Sequence, residues 1–219
     1  MEKTPVLPGG YWVSLHLRGA LRGRNLSILI YEQRDKENNM KMTYIKKAMI
    51  TAVLVALCVV LPMAFHAIPN AGSIYCPMHL PVLLCGLVCG APLGLLCGLL
   101  GPILSALITQ MPPMAVLPPM LVELGVYGFM AGLMMRLVRT GRLYGDLYIS
   151  LISAMVLGRV AAGAVKALIF TPGKIGFAAW ATSYFVTALP GIVIQLVLLP
   201  AVAAALTKAK LIPRRYPEK

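Results

Sequence analysis

The chain has 219 residues, of which 59% are hydrophobic and only 12% are charged, whereas about a quarter of the residues in soluble domains are charged. This composition excludes an ordinary soluble domain and indicates an integral membrane protein. The formal net charge is +13. Its basic residues lie mainly in the N-terminal tail and at the ends of apolar runs, as helix-orienting charges do, so nucleic-acid binding is not expected.

Residues 1–40 combine charges, Gly and Pro without sustained periodicity, which predicts a poorly ordered N-terminal extension. A cytoplasmic amphipathic arm is the alternative interpretation. Met40 and Met42 stand just before the first apolar run, so either is a candidate for the true start of the chain. Residues 41–219 are predicted to form one membrane domain.

Five apolar runs follow, at roughly 45–66, 78–110, 119–139, 146–170 and 178–207. The second run is too long for one crossing, because at ~1.5 Å per residue it would make a helix of about 50 Å, against ~30 Å of hydrocarbon. It must therefore be broken. Pro92, within the GAPLG segment at 90–94, predicts the turn and makes spans two and three a tight hairpin.

Basic residues predict the orientation, because cytoplasmic flanks collect Lys and Arg. They cluster before the first run, between the third and fourth runs, and at the C-terminus: Lys41, Lys46, Lys47, Arg136, Arg139, Arg142, Lys208, Lys210, Arg214, Arg215 and Lys219. Keeping the first two clusters on one side requires an even number of crossings between them. The sequence thus predicts an all-α integral membrane protein with six transmembrane helices and both termini inside, and with outer loops at 67–77, 110–118 and 171–177.

Ionisable side chains inside spans are costly and usually functional. Glu123 lies in predicted span four, Arg159 and Lys166 share a helical face of span five, and Gln195 is a polar companion in span six. One interpretation is a buried pair of Glu123 with Arg159 or Lys166 that merely fixes helix register. The other is a binding site, in which two cations and one acid leave a spare positive charge for a carboxylate or another polar solute.

Further polar and aromatic side chains gather at the same predicted outer level. They come from the first outer loop and from spans four and six: His66, Asn70, Tyr75, His79, Tyr127, Trp180 and Tyr184. Trp and Tyr also anchor ordinary helices at the membrane interface. Together with the four polar residues inside the spans, however, they outline a concave, partly apolar pocket of the kind that binds small molecules.

Metal binding and catalysis find little support. The candidate metal ligands are Cys76, Met78, His79, Cys85 and Cys89. Two of these cysteines lie in an apolar helix without a neighbouring carboxylate, so neither a metal site nor a cofactor is predicted. No H-E-x-x-H, G-x-S-x-G or P-loop motif occurs. The chain is therefore not predicted to be an enzyme or to hydrolyse ATP itself.

Small residues recur every four positions on the first span and around the hairpin: Ala48, Ala52 and Ala56, and Gly86, Gly90, Gly94 and Gly98. This spacing puts them on one helix face and lets a neighbouring backbone approach closely. For the glycines, packing within the bundle is the favoured interpretation. For the alanines, packing within the bundle and contact with another subunit are equally open.

Two stretches, IPNAGSIYCPMHLPVLLCGLVCGAPLGLLCGLLGPILSAL and PPMLVELGVYGFMAGLMMR, resemble the substrate-binding S component of energy-coupling factor (ECF) vitamin transporters. The similarity spans about residues 44–207. It rests on the Pro-containing first loop, on the LPVLLCGLVCG helix with the turn after it, and on the Glu-x-x-x-Tyr-Gly pattern at Glu123, Tyr127 and Gly128.

The resemblance implies a six-helix protein of a prokaryotic plasma membrane that binds one vitamin or precursor near its outer face, through the outer loops at 67–77, 110–118 and 171–177 and spans four to six. The first two of these loops are expected to seal the bound solute. It also implies partners: two ATPase subunits, and a transmembrane coupling subunit whose helices would meet Ala48, Ala52 and Ala56. ATP turnover by these partners would reorient the subunit and expose its pocket to the cytoplasm.

The sequence differs from two known branches of the family at the motifs that accompany their substrates, and these differences narrow the choice of substrate. The riboflavin-type branch usually has an Asp-containing motif where this chain has CPMHLP, and the cobalt and nickel branch has its Met-His pair at the N-terminus, whereas Met78 is internal. Pantothenate is slightly preferred because of the spare positive charge, with a hydroxymethylpyrimidine or a queuosine-type precursor close behind. A stand-alone secondary carrier and a cobalt- or nickel-type transport subunit are the alternative functions.

Overall fold

The structure is a computed structural model, and it describes residues 42–65, 71–170, 177–213 and 216. Within these ranges the chain is helical and has no strand. The helices are α1 (Tyr44–Ala64), α2 (Ala71–Tyr75), α3 (His79–Cys89), α4 (Ala91–Thr109), α5 (Leu117–Leu137), α6 (Leu143–Val165), α7 (Phe177–Ala181) and α8 (Leu189–Lys208). Two π-helical turns, Lys166–Phe170 and Thr182–Val186, follow α6 and α7. The extension predicted at 1–40 lies outside the described residues.

Five of the described segments are long and apolar enough to cross a membrane: Tyr44–Ala64, Ala91–Thr109, Leu117–Leu137, Leu143–Ile169 and Ala178–Lys208. This confirms an all-α protein with several membrane-spanning helices. The predicted count of six is not confirmed by helix length. Helix α3 has only 11 residues, so at ~1.5 Å per residue it reaches about half-way across the hydrocarbon.

The long second apolar run is broken, as predicted, but at a single residue. Gly90 has a φ of 100°, a conformation that glycine adopts far more readily than other residues. Helix α4 begins at the next residue, with Pro92 in its first turn, where the missing N–H of proline costs little. The turn expected over 90–94 is therefore shorter than predicted. Because Gly94 packs against Gly86 across the break, the two helices run antiparallel.

Three glycines on α3 and α4 bring these helices into backbone contact with α5. A Cβ built on Gly86 or on Gly94 would lie 2.3 Å from the carbonyl oxygen of Gly128, and a Cβ on Gly98 would lie 2.3 Å from that of Leu124. No real side chain tolerates such distances, so these positions accept only glycine. The structure confirms that these glycines pack within the bundle.

Helix α3 begins inside the bundle, beside the middle of α1 rather than beside its end. Residues 74–78, which precede α3 and are named the inserted segment, therefore enter the bundle. The two helices run antiparallel, with Thr51 Oγ1 3.5 Å from Cys85 Sγ and Cys58 Sγ 3.9 Å from the carbonyl oxygen of Met78. Cys58 lies six residues, or about 9 Å, before the end of α1. The expected outer rim at 67–77 needs correction at this point, because residues 76–78 are buried in the bundle.

The inserted segment is held there by hydrogen bonds to one of its main-chain carbonyl groups. The carbonyl oxygen of Cys76 accepts from the N–H of His79 at 3.0 Å and from Nε2 of Gln195, on α8, at 3.5 Å. A Cβ on Gly191 would lie 2.8 Å from the carbonyl oxygen of Ile74, so α8 and the segment are in close backbone contact. These contacts satisfy a main-chain carbonyl that would otherwise be buried without a partner.

The alanine stripe on α1 faces away from the bundle. Ala48, Ala52 and Ala56 are exposed, whereas Thr51 and Leu54 of the same helix are buried. In the part of the chain that the structure describes, the stripe is therefore not used for packing within the bundle.

Candidate functional site

A cavity of about 590 Å³ lies between the C-terminal end of α1, the inserted segment, loop 110–116, α5, α6 and the second π-helical turn. Small-molecule sites typically measure roughly 300–1,000 Å³. Its apolar wall includes Phe65, Met78, Met120 and Ala188. Its polar side chains are His79, Glu123, Arg159, Lys166, Ser183 and Tyr184.

The cavity unites five of the predicted binding residues: His79, Glu123, Arg159, Lys166 and Tyr184. Tyr127 and Gln195 are fully buried just behind this lining. Gln195 contacts Cys76, which itself lines the cavity.

The remaining predicted binding residues do not line this cavity or lie outside the described residues. Tyr75 packs on the ring of Phe65, with 5.7 Å between centroids, and does not line the cavity. Trp180 lines a second cavity of about 160 Å³, which shares Lys166, Ser183 and Tyr184 with the first. His66 and Asn70 lie outside the described residues.

Glu123 and His79 form a buried pair on one wall. Nε2 of the imidazole is 3.4 Å from Oε1 of the carboxylate, and the two side chains are 6% and 11% exposed. The imidazole also meets the Tyr127 ring edge-on, with 5.1 Å between centroids. Nε2 and Oε1 are within hydrogen-bonding distance, and the tautomer of the imidazole decides which ring nitrogen donates. Nδ1 is buried and has no hydrogen-bond partner among the described residues.

Arg159 is 1% exposed and is held by neutral groups. Its Nε donates to the Tyr127 hydroxyl at 2.6 Å, its Nη1 donates to the carbonyl oxygen of Tyr184, and its guanidinium lies 5.6 Å from the centroid of Phe185. The alternative of a register-fixing pair between Glu123 and either cation is not what the structure has. Arg159 meets the residue one helical turn beyond Glu123, and the carboxylate bonds to His79 instead.

Lys166 opens the π-helical turn that extends α6, and its Nζ lies 5.9 Å from the centroid of the Tyr184 ring. Lys166 and Arg159, which were predicted to share a helical face, both line the cavity. The cavity therefore has an acid and a histidine on the α3 and α5 side and two cations on the α6 side.

Two glycines of α6 let aromatic rings reach this wall. A Cβ on Gly158 would lie 2.0 Å from Cδ1 of Tyr127, and a Cβ on Gly163 would lie 1.9 Å from Nε1 of Trp180. Sequence reasoning did not single out either glycine. Their presence in a span without a turn was the available signal, since such a glycine usually has a packing reason.

Sequence reasoning also missed several lining residues. Cys76 and Met78 line the cavity from the inserted segment, and Ser183 lines it from the second π-helical turn. Loop 110–116, with its adjacent Pro112 and Pro113, lines another side and was not missed, because the sequence predicted an outer loop at 110–118.

Among the described residues, no group of three or more His, Cys, Asp or Glu side chains is arranged to hold a metal ion.

A comparison with protein families matches residues 46–203 to the family described as ECF transporter, substrate-specific component. The chain belongs to this family. Comparisons with curated proteins and with solved structures gave no match. As an ECF substrate-specific component, the chain is a multi-pass membrane protein and a transport subunit rather than an enzyme. Such components bind small substrates and work with ECF transmembrane and ATPase subunits, which makes the cavity the candidate substrate site.

Proposed function

We propose that this chain captures a small water-soluble vitamin or vitamin precursor, with pantothenate preferred, for an ATP-driven ECF importer of a prokaryotic plasma membrane. The observation that carries the proposal is the cavity of about 590 Å³, which combines a mostly apolar lining with Glu123, His79, Arg159 and Lys166. A site of this size with a few convergent polar groups is what binding of a small molecule requires.

The charges of the cavity favour an anionic substrate. The lining has one acidic side chain, Glu123, and two basic side chains, Arg159 and Lys166. The acceptors that hold Arg159 are a hydroxyl and a carbonyl, which do not cancel its charge. Opposite charges attract each other more strongly in a site of low dielectric constant than in bulk water, so an excess of basic groups favours a carboxylate.

The proposed topology has six crossings with both termini in the cytoplasm, one of them formed jointly by the inserted segment and α3. Cys89 Sγ lies 3.7 Å from the carbonyl oxygen of Lys47, so the start of α1 and the end of α3 share one end of the bundle. Basic residues collect at that end, and Pro62 and Phe65 line the cavity at the other end of α1. The positive-inside rule therefore supports an outward-facing cavity.

The exposed stripe of Ala48, Ala52 and Ala56 is the proposed contact with the transmembrane coupling subunit, because small exposed side chains let another helix approach closely. Two ATPase subunits complete the proposed importer.

A vitamin panel tests the proposal. The purified chain in nanodiscs should unfold at a higher temperature with its ligand, because a ligand at 100 times its dissociation constant stabilises the folded state by ~2.7 kcal/mol. Lys166→Met should abolish this shift, whereas Lys208→Met, at the opposite end of the bundle, should leave it intact. Absence of a shift with every vitamin and precursor would refute the proposal. Co²⁺ and Ni²⁺ belong in the panel as the metal-transport alternative.

Reconstitution separates the importer from a stand-alone carrier. Liposomes that contain the chain alone should not accumulate the ligand, and uptake should require the coupling subunit, both ATPase subunits and ATP. Uptake driven by an ion gradient through the chain alone would show a secondary carrier.

A further inference from the structure

Every exposed charged side chain among the described residues is basic, and these side chains collect at the end of the bundle opposite the cavity. The acidic side chains within the described ranges are Glu123 and Asp146, and both are buried. The exposed basic ones lie at the start of α1, around the loop between α5 and α6, and after α8: Lys46, Arg136, Arg139, Arg142, Lys208 and Lys210. None of them forms an ion pair with another described residue. Cations of this kind orient the helices of any membrane protein, so a further role needs an observation of its own.

That observation is a set of hydrogen bonds, named the latch, between the loop 138–142 and the segment after α8. The Tyr216 hydroxyl donates to Oδ2 of Asp146 at 2.6 Å and accepts from the N–H of Gly141 at 3.2 Å. Oδ1 of Asp146 accepts from the N–H and the hydroxyl of Thr140, at 2.7 and 2.8 Å. Hydrogen bonds to an ionised carboxylate are among the strong ones. One buried acid therefore ties the C-terminal segment to the loop between α5 and α6.

The latch brings cations from two segments of the chain to one surface. Arg142 directly precedes α6, and Lys208 is the last residue of α8. These two helices pack beside each other. Beyond α8 the chain turns at Lys210, which has a φ of 57°, and then reaches the loop at Tyr216. The exposed side chains of Arg139, Arg142, Lys208 and Lys210 are named the basic surface.

The surroundings of the basic surface favour a lipid headgroup as its ligand. Tyr144 and Tyr148, one turn apart on α6, are 55% and 41% exposed. Leu137, at the end of α5, and Leu211, next to Lys210, are also exposed. Tyrosines at the ends of spanning helices lie at the level of the headgroups. Groups of about four or more Lys and Arg at the end of a span are typical of sites for anionic lipids.

We propose that the basic surface binds an anionic phospholipid. The lipid phosphate lies at the four cations, and its acyl chains lie along the apolar outer side of α6. The latch acts by position, because it holds Lys210 and the loop cations at the same headgroup. This lipid site is separate from the substrate cavity and does not depend on which solute the cavity takes.

Native mass spectrometry of the full chain in neutral detergent tests the proposal, with phosphatidylglycerol and phosphatidylcholine titrated in turn. The wild type should bind phosphatidylglycerol at least about tenfold more tightly than phosphatidylcholine. Lys210→Gln should reduce this preference about fivefold, since each Lys or Arg near a charged membrane surface contributes roughly that factor. Tyr216→Phe leaves every charge in place but releases the C-terminal segment. It should reduce the preference by a similar factor.

Two residues at the start of α1 supply matched controls, Lys46→Gln and Tyr44→Phe. Both side chains are exposed, neither belongs to the latch, and α1 packs on α3 and α4. Each control should keep the wild-type preference. Glycerol 3-phosphate, which has a phosphate but no acyl chain, should not displace the bound lipid.

Four results would overturn the proposal. Equal wild-type affinities for the two lipids would show that the cations only orient the helices. An unchanged preference in Tyr216→Phe, with wild-type circular dichroism, would show that the latch does not build the site. Displacement by glycerol 3-phosphate would assign the site to a soluble phosphate. If Lys210→Gln, an exposed substitution, binds lipid as the wild type does but associates more weakly with the coupling and ATPase subunits, the basic surface is a protein contact.

Discussion

Replacing Gly128 with alanine should destabilise the bundle by about 2 kcal/mol, because the new methyl group meets backbone atoms that cannot turn aside. A Cβ at this position would lie 2.1 Å from the carbonyl oxygen of Gly94 and 2.4 Å from its carbonyl carbon. Restoring a normal contact of about 3.4 Å requires α4 and α5 to separate by roughly 1.3 Å.

The magnitude follows from how much of the α4–α5 contact moves with that residue. Gly98 approaches the carbonyl of Leu124, and Gly132 approaches the N–H of Ala91, so both close contacts open when the helices separate. A gap of ~0.5–1 Å already forfeits a quarter to a half of each dispersion contact. Overpacking typically costs ~1–3 kcal/mol, and the upper end applies to rigid backbone. The better helix propensity of alanine offsets up to about 1 kcal/mol.

The assay is chemical unfolding in mixed micelles, with Gly125→Ala as the matched control. Gly125 lies three residues earlier on the same helix, and its Cβ would meet only side-chain atoms of Leu95 and Leu99, at 3.4 Å or more. This control should be neutral or slightly stabilised. Because Glu123 lies on the same helix, Gly128→Ala should also weaken ligand binding. Equal stability of the two variants would show that α4 and α5 are not in backbone contact.

Two further substitutions test single side chains. Tyr216→Phe removes the hydroxyl that donates to Oδ2 of the buried Asp146 at 2.6 Å, so it should cost about 1 kcal/mol and make the C-terminal segment more sensitive to carboxypeptidase. Arg159→Lys cannot span the Tyr127 hydroxyl and the carbonyl of Tyr184 as the guanidinium does. It should lower ligand affinity at least about tenfold, measured by calorimetry, while the positive charge is retained.

Matched controls exist for both substitutions. Tyr144→Phe alters an exposed tyrosine and should leave carboxypeptidase sensitivity unchanged. Arg139→Lys alters an exposed arginine at the end of the bundle opposite the cavity and should leave affinity unchanged. If Tyr216→Phe resists carboxypeptidase as well as the wild type does, the hydrogen bond to Asp146 does not protect the C-terminal segment. If Arg159→Lys keeps full ligand affinity, the positive charge is sufficient for binding and the two hydrogen bonds of the guanidinium are not needed.

The helices were predictable from the sequence because the hydrocarbon imposes long apolar runs. The first predicted run, 45–66, became Tyr44–Ala64, and the third, 119–139, became Leu117–Leu137. The insertion of residues 76–78 was not predicted, although its signal was present. A break at Gly90 leaves only 11 residues for α3, too few to cross ~30 Å. The preceding segment therefore had to supply the rest of the depth, as it does in the structure.

The charged residues of the cavity were predictable because ionisable groups are rare inside spans, but their partners were not. The apolar runs alone put Glu123 and Arg159 on consecutive predicted spans. Whether they meet depends on how each helix is rotated about its own axis, and a span that is apolar all round carries no strong signal for that rotation. The rotation of α6 sets Arg159 against Tyr127, one turn away from the carboxylate.

That rotation bears on the proposed binding of an anionic substrate. A direct Glu123–Arg159 bond would place a tethered carboxylate on the guanidinium, and any substrate carboxylate would have to compete with it at very high effective concentration. In the structure Oε1 of Glu123 lies 3.4 Å from Nε2 of His79 instead, and the guanidinium is bonded to a phenol and a carbonyl. The acid and the arginine thus line the same cavity without a direct bond to each other.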